Sequence, residues 1–171
     1  PYERYWLDLM ARSTTFLAVA SRGSAKSMII GLFAVVKAIL YPGIKITLSS
    51  NTKKQAGLII SQHISLFEKQ SVMLAREISN IIQNSNDYRV MFHNGSTIEV
   101  VVSGEAGRGV RNSVSILEER RLIPNEIIDT IIRPFAVTYR PEYLFKKEYS
   151  HLKPIEPQEF SITSAYFKAG E

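Results

Sequence analysis

Four residues of this sequence have side chains suited to handling a nucleoside triphosphate: Lys26, Ser27, Glu118 and Glu119. The first two end the segment 20–27, which follows the spacing of the phosphate-loop pattern G-x-x-x-x-G-K-[ST] except that alanine replaces both glycines. In such a loop the lysine neutralises the β- and γ-phosphate oxygens, and the hydroxyl ligates Mg²⁺. The alternative interpretation is a polar turn with a solvated lysine.

The elements around this loop favour phosphate binding. A compact apolar run at 16–20 predicts a strand buried on both faces, and a helix is expected to follow directly from Lys26. Backbone N–H groups and the partial positive charge at a helix N-terminus both attract anions. Cradling residues are then expected at every position of the loop: Ser21, Arg22, Gly23, Ser24, Ala25, Lys26 and Ser27.

A second strand is expected at 113–117, and it ends in the two acids Glu118 and Glu119. In a phosphate-loop ATPase one carboxylate at this place holds Mg²⁺ and the next polarises the attacking water. We assign the metal to Glu118, although Asp is the usual residue, and the general base to Glu119. A solvated strand end, paired with Arg120 and Arg121, is the alternative.

Strands and helices alternate along most of the chain, which predicts an α/β domain with a mainly parallel sheet flanked by helices. Asn51 or Thr52 is expected to cap the third helix, Asn125 the fifth, and His93-Asn94-Gly95-Ser96 to turn a hairpin. The predicted strands are 16–20, 44–49, 88–92, 97–102, 113–117 and 160–164. The predicted helices are 1–12, 28–41, 53–68, 72–82, 126–133 and 142–149.

Composition narrows the class of protein. With no cysteine among 171 residues, disulfide scaffolds and cysteine-based zinc sites are excluded. The longest apolar stretch, 28–40, is interrupted by Lys37 and is too short to span a bilayer. A net charge of +5, from 21 basic and 16 acidic residues, suits a surface that meets nucleic acid without requiring one.

Three segments in order resemble the motifs of phage terminase large subunits, the ATPases of viral DNA packaging. Residues 21–27 resemble the family's phosphate loop, in which an arginine is typical. Residues 107–124 are similar to its second acidic motif and the approach to it, and residues 161–165 resemble its coupling motif. The resemblance covers nearly the whole chain.

This resemblance implies a P-loop NTPase fold of the additional-strand (ASCE) type that uses ATP and Mg²⁺. It implies that Arg22 contacts the γ-phosphate region and stabilises transition-state charge, and that Thr163, Ser164 and Ala165 sense the loss of the γ-phosphate and relay it to the parts that grip DNA. It also implies a homo-oligomeric ring that pumps double-stranded DNA into a procapsid in the host cytoplasm, with the portal protein and the small terminase subunit as partners. The alternative without function is that Arg22 is a surface arginine in a loop and that Thr163 and Ser164 are an ordinary strand end.

Two family features are missing from the sequence. The adenine-contacting glutamine normally precedes the phosphate loop, but the first glutamine here is Gln55. No acidic cluster of a C-terminal nuclease follows the coupling motif. We therefore interpret residues 1–171 as a single ATPase domain from a longer chain, which can be monomeric when isolated, and expect no DNA cleavage by it.

Several other residues were weighed for function. A ring ATPase often takes an arginine from the next subunit, for which the candidates are Arg76, Arg108 and Arg111. His63, His93 and His151 lack metal-ligand spacing and are interpreted as structural or exposed. Two other functions stay open: a helicase-like nucleic-acid-dependent ATPase, and a non-catalytic module of P-loop origin that assists assembly or binds DNA.

Overall fold

The structure is a computed structural model that describes residues 2–101 and 110–165. Seven strands form one sheet in the order β1-β7-β6-β2-β5-β4-β3. Its strands are β1 Thr15–Ala20, β2 Lys45–Ser49, β3 Ile78–Gln83, β4 Tyr88–Phe92, β5 Thr97–Val100, β6 Val114–Glu118 and β7 Gln158–Ser164. The helices are α1 Tyr2–Arg12, α2 Lys26–Leu40, α3 Lys53–Leu58, α4 Ser65–Gln70, α5 Val72–Glu77 and α6 Asn125–Ile127. The predicted α/β class with a mainly parallel sheet is confirmed.

Five neighbouring strands, from β1 to β5 in the sheet order, run parallel. Their carboxyl ends therefore meet at one edge of the sheet, where ligands of open α/β sheets bind. β7 lies between β1 and β6, so it is an additional strand between the phosphate loop and the acidic pair. Its last residue, Ser164, is in register with Ala20, and Ala165 N–H donates to the Ala20 carbonyl at 2.8 Å.

The prediction that 16–20 is buried on both faces is wrong. Among the described strands β1 lies at the edge of the sheet and pairs with β7, and Leu17 and Val19 on one of its faces are 65% and 61% exposed. The opposite face is covered, because Ala18 is buried and Phe16 packs against Phe160. A short apolar run does not reveal whether its strand is central or at an edge.

The predicted helix 72–82 is wrong in its second half. α5 ends at Glu77, and Ile78 begins β3, which pairs antiparallel with β4. The spacing of the apolar residues Ile78, Ile81 and Ile82 fits a helical period, but the backbone groups of this segment form hydrogen bonds with β4 across the hairpin instead. The expected hairpin between β4 and β5 is confirmed, with Gly95 at a φ of 82° in the turn.

The helix predicted at 53–68 forms with an irregularity. Thr52 caps α3 by accepting from the Gln55 N–H at 3.2 Å, and a π-helix, Ile59–Ile64, joins α3 to α4. This π-helix packs on α2, where Gly31 leaves space for Ile59 and His63. π segments recur at functional sites because the extra residue turns side chains out of the regular helical face.

The last third of the described chain is less regular than predicted. Pro124, not Asn125, is the N-cap of α6, and the Asn125 side chain accepts a hydrogen bond from Arg120 instead. α6 continues as the π-helix Ile128–Ile132 and the 3₁₀ turn Arg133–Phe135. The helix predicted at 142–149 is two 3₁₀ turns, Glu142–Phe145 and Lys147–Tyr149, and a third 3₁₀ turn is Arg120–Leu122.

The buried core holds α2 against the sheet and thereby fixes the phosphate loop. Phe33 of α2 meets Phe160 of β7 edge to face, with ring centroids 5.0 Å apart. Ile29 and Ile30, one turn after the loop, are fully buried. Each such side chain stabilises the fold by about 1.5–3 kcal/mol. No helix within the described ranges is long and apolar enough to cross a membrane.

Candidate nucleotide site

The predicted phosphate loop connects the end of β1 to the start of α2. Its backbone is left-handed twice, at Gly23 with a φ of 78° and at Ala25 with a φ of 50°. Ser24 Oγ and Lys26 Nζ both donate to the Ser21 carbonyl at 2.7 Å, so the loop closes on its own backbone. Ala25 provides no side-chain cap, which leaves the first N–H groups of α2 available to an anion.

Ala25 occupies the place of the pattern's second glycine and still adopts the glycine-like conformation. A left-handed backbone costs a non-glycine residue about 1–2 kcal/mol. The loop geometry is therefore imposed by its neighbours, since α2 and β1 are both anchored in the sheet and core. This explains why the phosphate loop tolerates a departure from the pattern that looks disqualifying in the sequence.

Ala25→Gly is expected to increase the free energy of unfolding by about 1 kcal/mol, because glycine adopts this φ without strain. For a chain of this size the melting temperature rises by about 2–4 °C. Gly23→Ala is the matched opposite: no atom lies within 4 Å of the added Cβ, so only backbone strain acts and stability falls by a similar amount. Thermal unfolding followed by circular dichroism measures both, and equal melting temperatures would contradict the strain argument.

The acidic pair lies next to this loop. Ser27 Oγ donates a hydrogen bond to Glu118 Oε1, which joins the start of α2 to the end of β6. Glu119 follows in a left-handed conformation with a φ of 48°, which turns the chain at the strand end. Its carboxylate is thereby directed to β7, where Ser164 binds it. The sequence placed both acids at the phosphate loop, and the structure brings them there.

The two carboxylates have different environments. Burial raises the pKa of Glu118, and the nearby charge of Glu119 raises it further, against the lowering effects of Ser27 and Lys26. Burial also raises the pKa of Glu119, but hydrogen bonds from Ser164 and the charges of Arg121 and Lys26 outweigh it and leave that pKa lowered. A buried carboxylate beside a hydroxyl suits a metal ion, whose charge offsets the desolvation.

The coupling segment at the end of β7 holds Glu119. Ser164 donates twice, from its backbone N–H to Glu119 Oε2 at 3.1 Å and from its hydroxyl to Oε1. Thr163 Oγ1 lies 3.4 Å from Oε2, and Arg121 Nε lies 3.5 Å from the same oxygen. The predicted coupling residues therefore touch the predicted general base directly. Sequence spacing did not indicate that contact.

A Mg²⁺ ion fits Ser27 and Glu118. Magnesium is usually bound by one or two carboxylates together with phosphate oxygens and water, so two protein ligands are enough. Within the described residues no group of three or more His, Asp or Glu side chains forms a metal cluster of its own. A metal held here would neutralise phosphate charge and would make ionised Glu118 favourable despite its burial.

Three side chains that the sequence analysis did not assign to the site line it. Gln55, Gln62 and His63 share a cavity of about 170 Å³ with Ser27 and both acids. His63 also lines an adjoining cavity with residues 23–28 of the loop. His63, which the sequence analysis interpreted as structural or exposed, therefore lies at the candidate site, and any part it has in function stays a prediction. The sequence contains a pattern that indicates this surface: Gln55, Ile59 and Gln62 are spaced i, i+4 and i+7 in the predicted helix that follows β2, and β2 ends at the same edge of the sheet as the phosphate loop.

His63 is expected to make nucleotide affinity depend on pH. Burial lowers the pKa of this imidazole, so it is neutral near pH 7 and gains its charge on acidification. A charged imidazole beside the loop attracts phosphate, so affinity should rise as pH falls, and His63→Gln should remove about fivefold of that rise, or about 1 kcal/mol. The measurement is titration calorimetry of nucleotide binding to both proteins across pH 5.5–8. Because the nucleotide's own protonation affects both proteins equally, the difference between them reports His63. Identical profiles of affinity against pH would contradict this role.

The structure does not show any of the four predicted arginines next to the acidic pair within the described residues. Arg22 is exposed on the loop. Arg76 is exposed on α5, and Arg108 lies outside the described residues together with the rest of 102–109. Arg111 precedes β6 at its amino end, whereas the acids of the same chain are at the carboxyl end. Which arginine completes a site in a ring therefore stays a prediction.

Known structures that resemble this chain show its fold. The ATPase domain of the large terminase of Thermus phage P74-26 matches over 92% of this chain with a TM-score of 0.58 and 15% identity, and 78% of that domain is covered. A mutant of that domain matches over 92% with a TM-score of 0.64 and 16% identity, covering 63% of it. The chain has the fold of a phage large-terminase ATPase domain.

The large terminase of a second, thermophilic bacteriophage, in complex with ATP-γ-S, has the same fold. It matches over 94% of this chain with a TM-score of 0.59 and 10% identity, and only 36% of that terminase is covered. This chain thus spans about a third of that protein and 63% of the mutant P74-26 chain. No family model and no curated protein matches the sequence. The structural likeness establishes a P-loop NTPase fold, and the expected fold class is confirmed.

Proposed function

We propose that this chain is an ATPase and that it powers the translocation of double-stranded viral DNA into a procapsid, as the ATPase domain of a terminase large subunit. The observation that carries the ATPase proposal is the hydrogen bond between Ser27 and Glu118, with Glu119 beside it. This contact supports a Mg²⁺ site formed by a hydroxyl and a carboxylate, with a second carboxylate available to a water, at the mouth of the proposed phosphate loop. The terminase-like fold and its ATP-γ-S-bound neighbour support the same conclusion.

Each residue of the site has a distinct task in this proposal. Lys26 leaves the Ser21 carbonyl and neutralises β- and γ-phosphate oxygens, while the N–H groups of α2 bind the same oxygens. Ser27 and Glu118 hold Mg²⁺, which supplies charge neutralisation on the phosphates when it is bound. Glu119 accepts the proton of the attacking water. Arg22 stabilises the charge that develops on the phosphate being released.

Thr163 and Ser164 are proposed to link the state of the nucleotide to the rest of the motor. They touch Glu119 and lie at the end of β7, which pairs with both β1 and β6. A change at the γ-phosphate that moves Glu119 therefore acts on the strand between the phosphate loop and the acidic pair. The proposed partners are the portal protein, the small terminase subunit and further copies of this chain in a ring, all in the host cytoplasm.

Nucleotide binding and phosphate release with and without Mg²⁺ test the ATPase proposal. Binding of a fluorescent ATP analogue should require Mg²⁺ for full affinity, and phosphate release should be strongest in assembled full-length protein supplied with DNA and procapsids. A chain that binds no nucleotide in either condition would instead be a non-catalytic module of P-loop origin. ATP-dependent strand separation without packaging would favour the helicase-like alternative.

A further inference from the structure

A cavity of about 600 Å³ forms a cleft at the other edge of the sheet, opposite the candidate nucleotide site. Asn94 and three stretches form it: residues 42–45 at the start of β2, residues 111–113 before β6, and residues 137–143. Lys45, Arg111 and Arg140 line it together with Tyr139 and Tyr143. None of these five residues takes part in the proposed chemistry of ATP.

The walls of this basic cleft are held by hydrogen bonds. The Tyr139 hydroxyl donates to the Pro42 carbonyl at 2.8 Å, which ties the third stretch to the first. Ser113 N–H donates to the Lys45 carbonyl at 2.8 Å, which ties the second stretch to the first. Val137 N–H donates to the Asn112 carbonyl at 2.8 Å, which joins the second and third. The backbone that carries Lys45, Arg111 and Arg140 is therefore held in place by hydrogen bonds between the three stretches.

Among the residues that the structure describes, the three cations that line the cleft have no carboxylate partner. Lys45, Arg111 and Arg140 are exposed, and none forms an ion pair with a carboxylate of residues 2–101 or 110–165. Arg133, by contrast, is paired with Asp129 and Glu159. The acidic side chain that lines the cleft is Glu142, which is exposed. Three unpaired cations against one acid attract a polyanion.

We propose that this basic cleft binds the phosphodiester backbone of DNA. Exposed lysines and arginines are the usual contacts to DNA phosphates, and they carry no base specificity, which suits a polymer that moves past the protein. A site for a small anion would instead hold buried donors around one position. The inference deepens the proposed function, on which it rests for the choice of polymer, by naming the surface that meets DNA.

The cleft and the nucleotide site are at opposite ends of the same strands. β2 begins at Lys45 in the cleft, and β6 begins directly after Ser113 and ends at Glu118. Five residues of strand span about 17 Å. Both strands are central and buried, so displacement at one end is transmitted to the other as a rigid movement.

The experiment is the binding of a short fluorescein-labelled duplex, followed by anisotropy without nucleotide and with EDTA, at salt from about 50 to about 200 mM. The cleft variant is Arg111→Gln with Arg140→Gln, and the matched control removes two exposed charges elsewhere, Arg4→Gln with Lys69→Gln. Each lost phosphate contact lowers the salt slope by about 0.9, so the cleft variant should lose about two in slope and more than tenfold in affinity. Lys45→Gln alone should lower the salt slope by about one.

Equal affinities and slopes of the cleft variant and the control would overturn the proposal. Displacement of the duplex from the wild-type protein by inorganic tripolyphosphate at equal phosphate concentration would also overturn it, in favour of a small anion. Unchanged DNA binding with lost self-association would assign the cleft to a protein interface instead. Because the assay contains no nucleotide, a failure of ATP hydrolysis leaves its outcome unaffected.

Discussion

Lys26→Ala is expected to lower the rate of ATP hydrolysis at least about 100-fold and to weaken nucleotide binding at least about tenfold. The reason is that Lys26 is the cation at the start of α2, directly before the residue that contacts Glu118. Without this positive charge, less of the repulsion between the phosphate oxygens and the two carboxylates is offset. Phosphate release and titration with a fluorescent ATP analogue, both in assembled full-length protein, measure the two effects.

The structure also says what Lys26→Ala should leave unchanged. The ammonium group donates to the Ser21 carbonyl on a partly exposed loop, so its removal costs little folding free energy, within about 1 kcal/mol. Lys69→Ala is the matched control, since this exposed lysine of α4 lies outside the site. Turnover of Lys26→Ala equal to that of Lys69→Ala, with both proteins folded, would remove the loop from the proposed site.

Glu119→Gln is expected to reduce hydrolysis by about 10²–10⁴-fold while nucleotide affinity changes by less than about threefold. A glutamine keeps the size of the side chain and an oxygen that accepts from Ser164, but it takes no proton from water. The lowered pKa of Glu119 means that the carboxylate is ionised at neutral pH, as a base must be. Single-turnover hydrolysis and equilibrium binding separate the two quantities.

Glu118→Gln is the informative comparison, because its position gives the opposite pattern. Glu118 contacts Ser27 and is assigned to the metal, so its replacement should weaken Mg²⁺-dependent nucleotide binding and hydrolysis together. If Glu119→Gln loses affinity as strongly as Glu118→Gln, then Glu119 is a metal or structural residue and not the base. If neither variant affects turnover, the acidic pair has no part in hydrolysis.

The contact between Ser164 and Glu119 gives the proposed coupling a concrete form. In this proposal the general base is held by β7 and also acts as a sensor, because any change of its position alters its contacts with Ser164 and Thr163. Hydrogen bonds to a charged carboxylate each contribute about 1.5–3 kcal/mol, enough to favour one arrangement of the end of β7 over another. Chemistry and movement then share one residue in the proposed motor.

The proximity of the candidate site residues could be predicted from the sequence. The spacing of Lys26 and Ser27 after an apolar run, and of Glu118 and Glu119 after a second run, was enough to expect one site. This works because parallel strands bring their carboxyl ends to one edge, so residues after such strands meet whatever separates them in the chain. Even the alanine at position 25 did not disturb the outcome, since its left-handed backbone is imposed by α2 and β1.

Other features depended on pairing that no local pattern encodes. The order of strands decided that β1 lies at an edge with Leu17 exposed, and that 78–83 pairs with β4 instead of continuing a helix. The π-helix carries His63, which lines a cavity beside the candidate phosphate loop. The basic cleft joins residues from 42 to 143, which are distant in the chain and carry no motif. Side-chain type and spacing determined the chemistry here, whereas long-range backbone hydrogen bonding and packing decided which side chains share a surface.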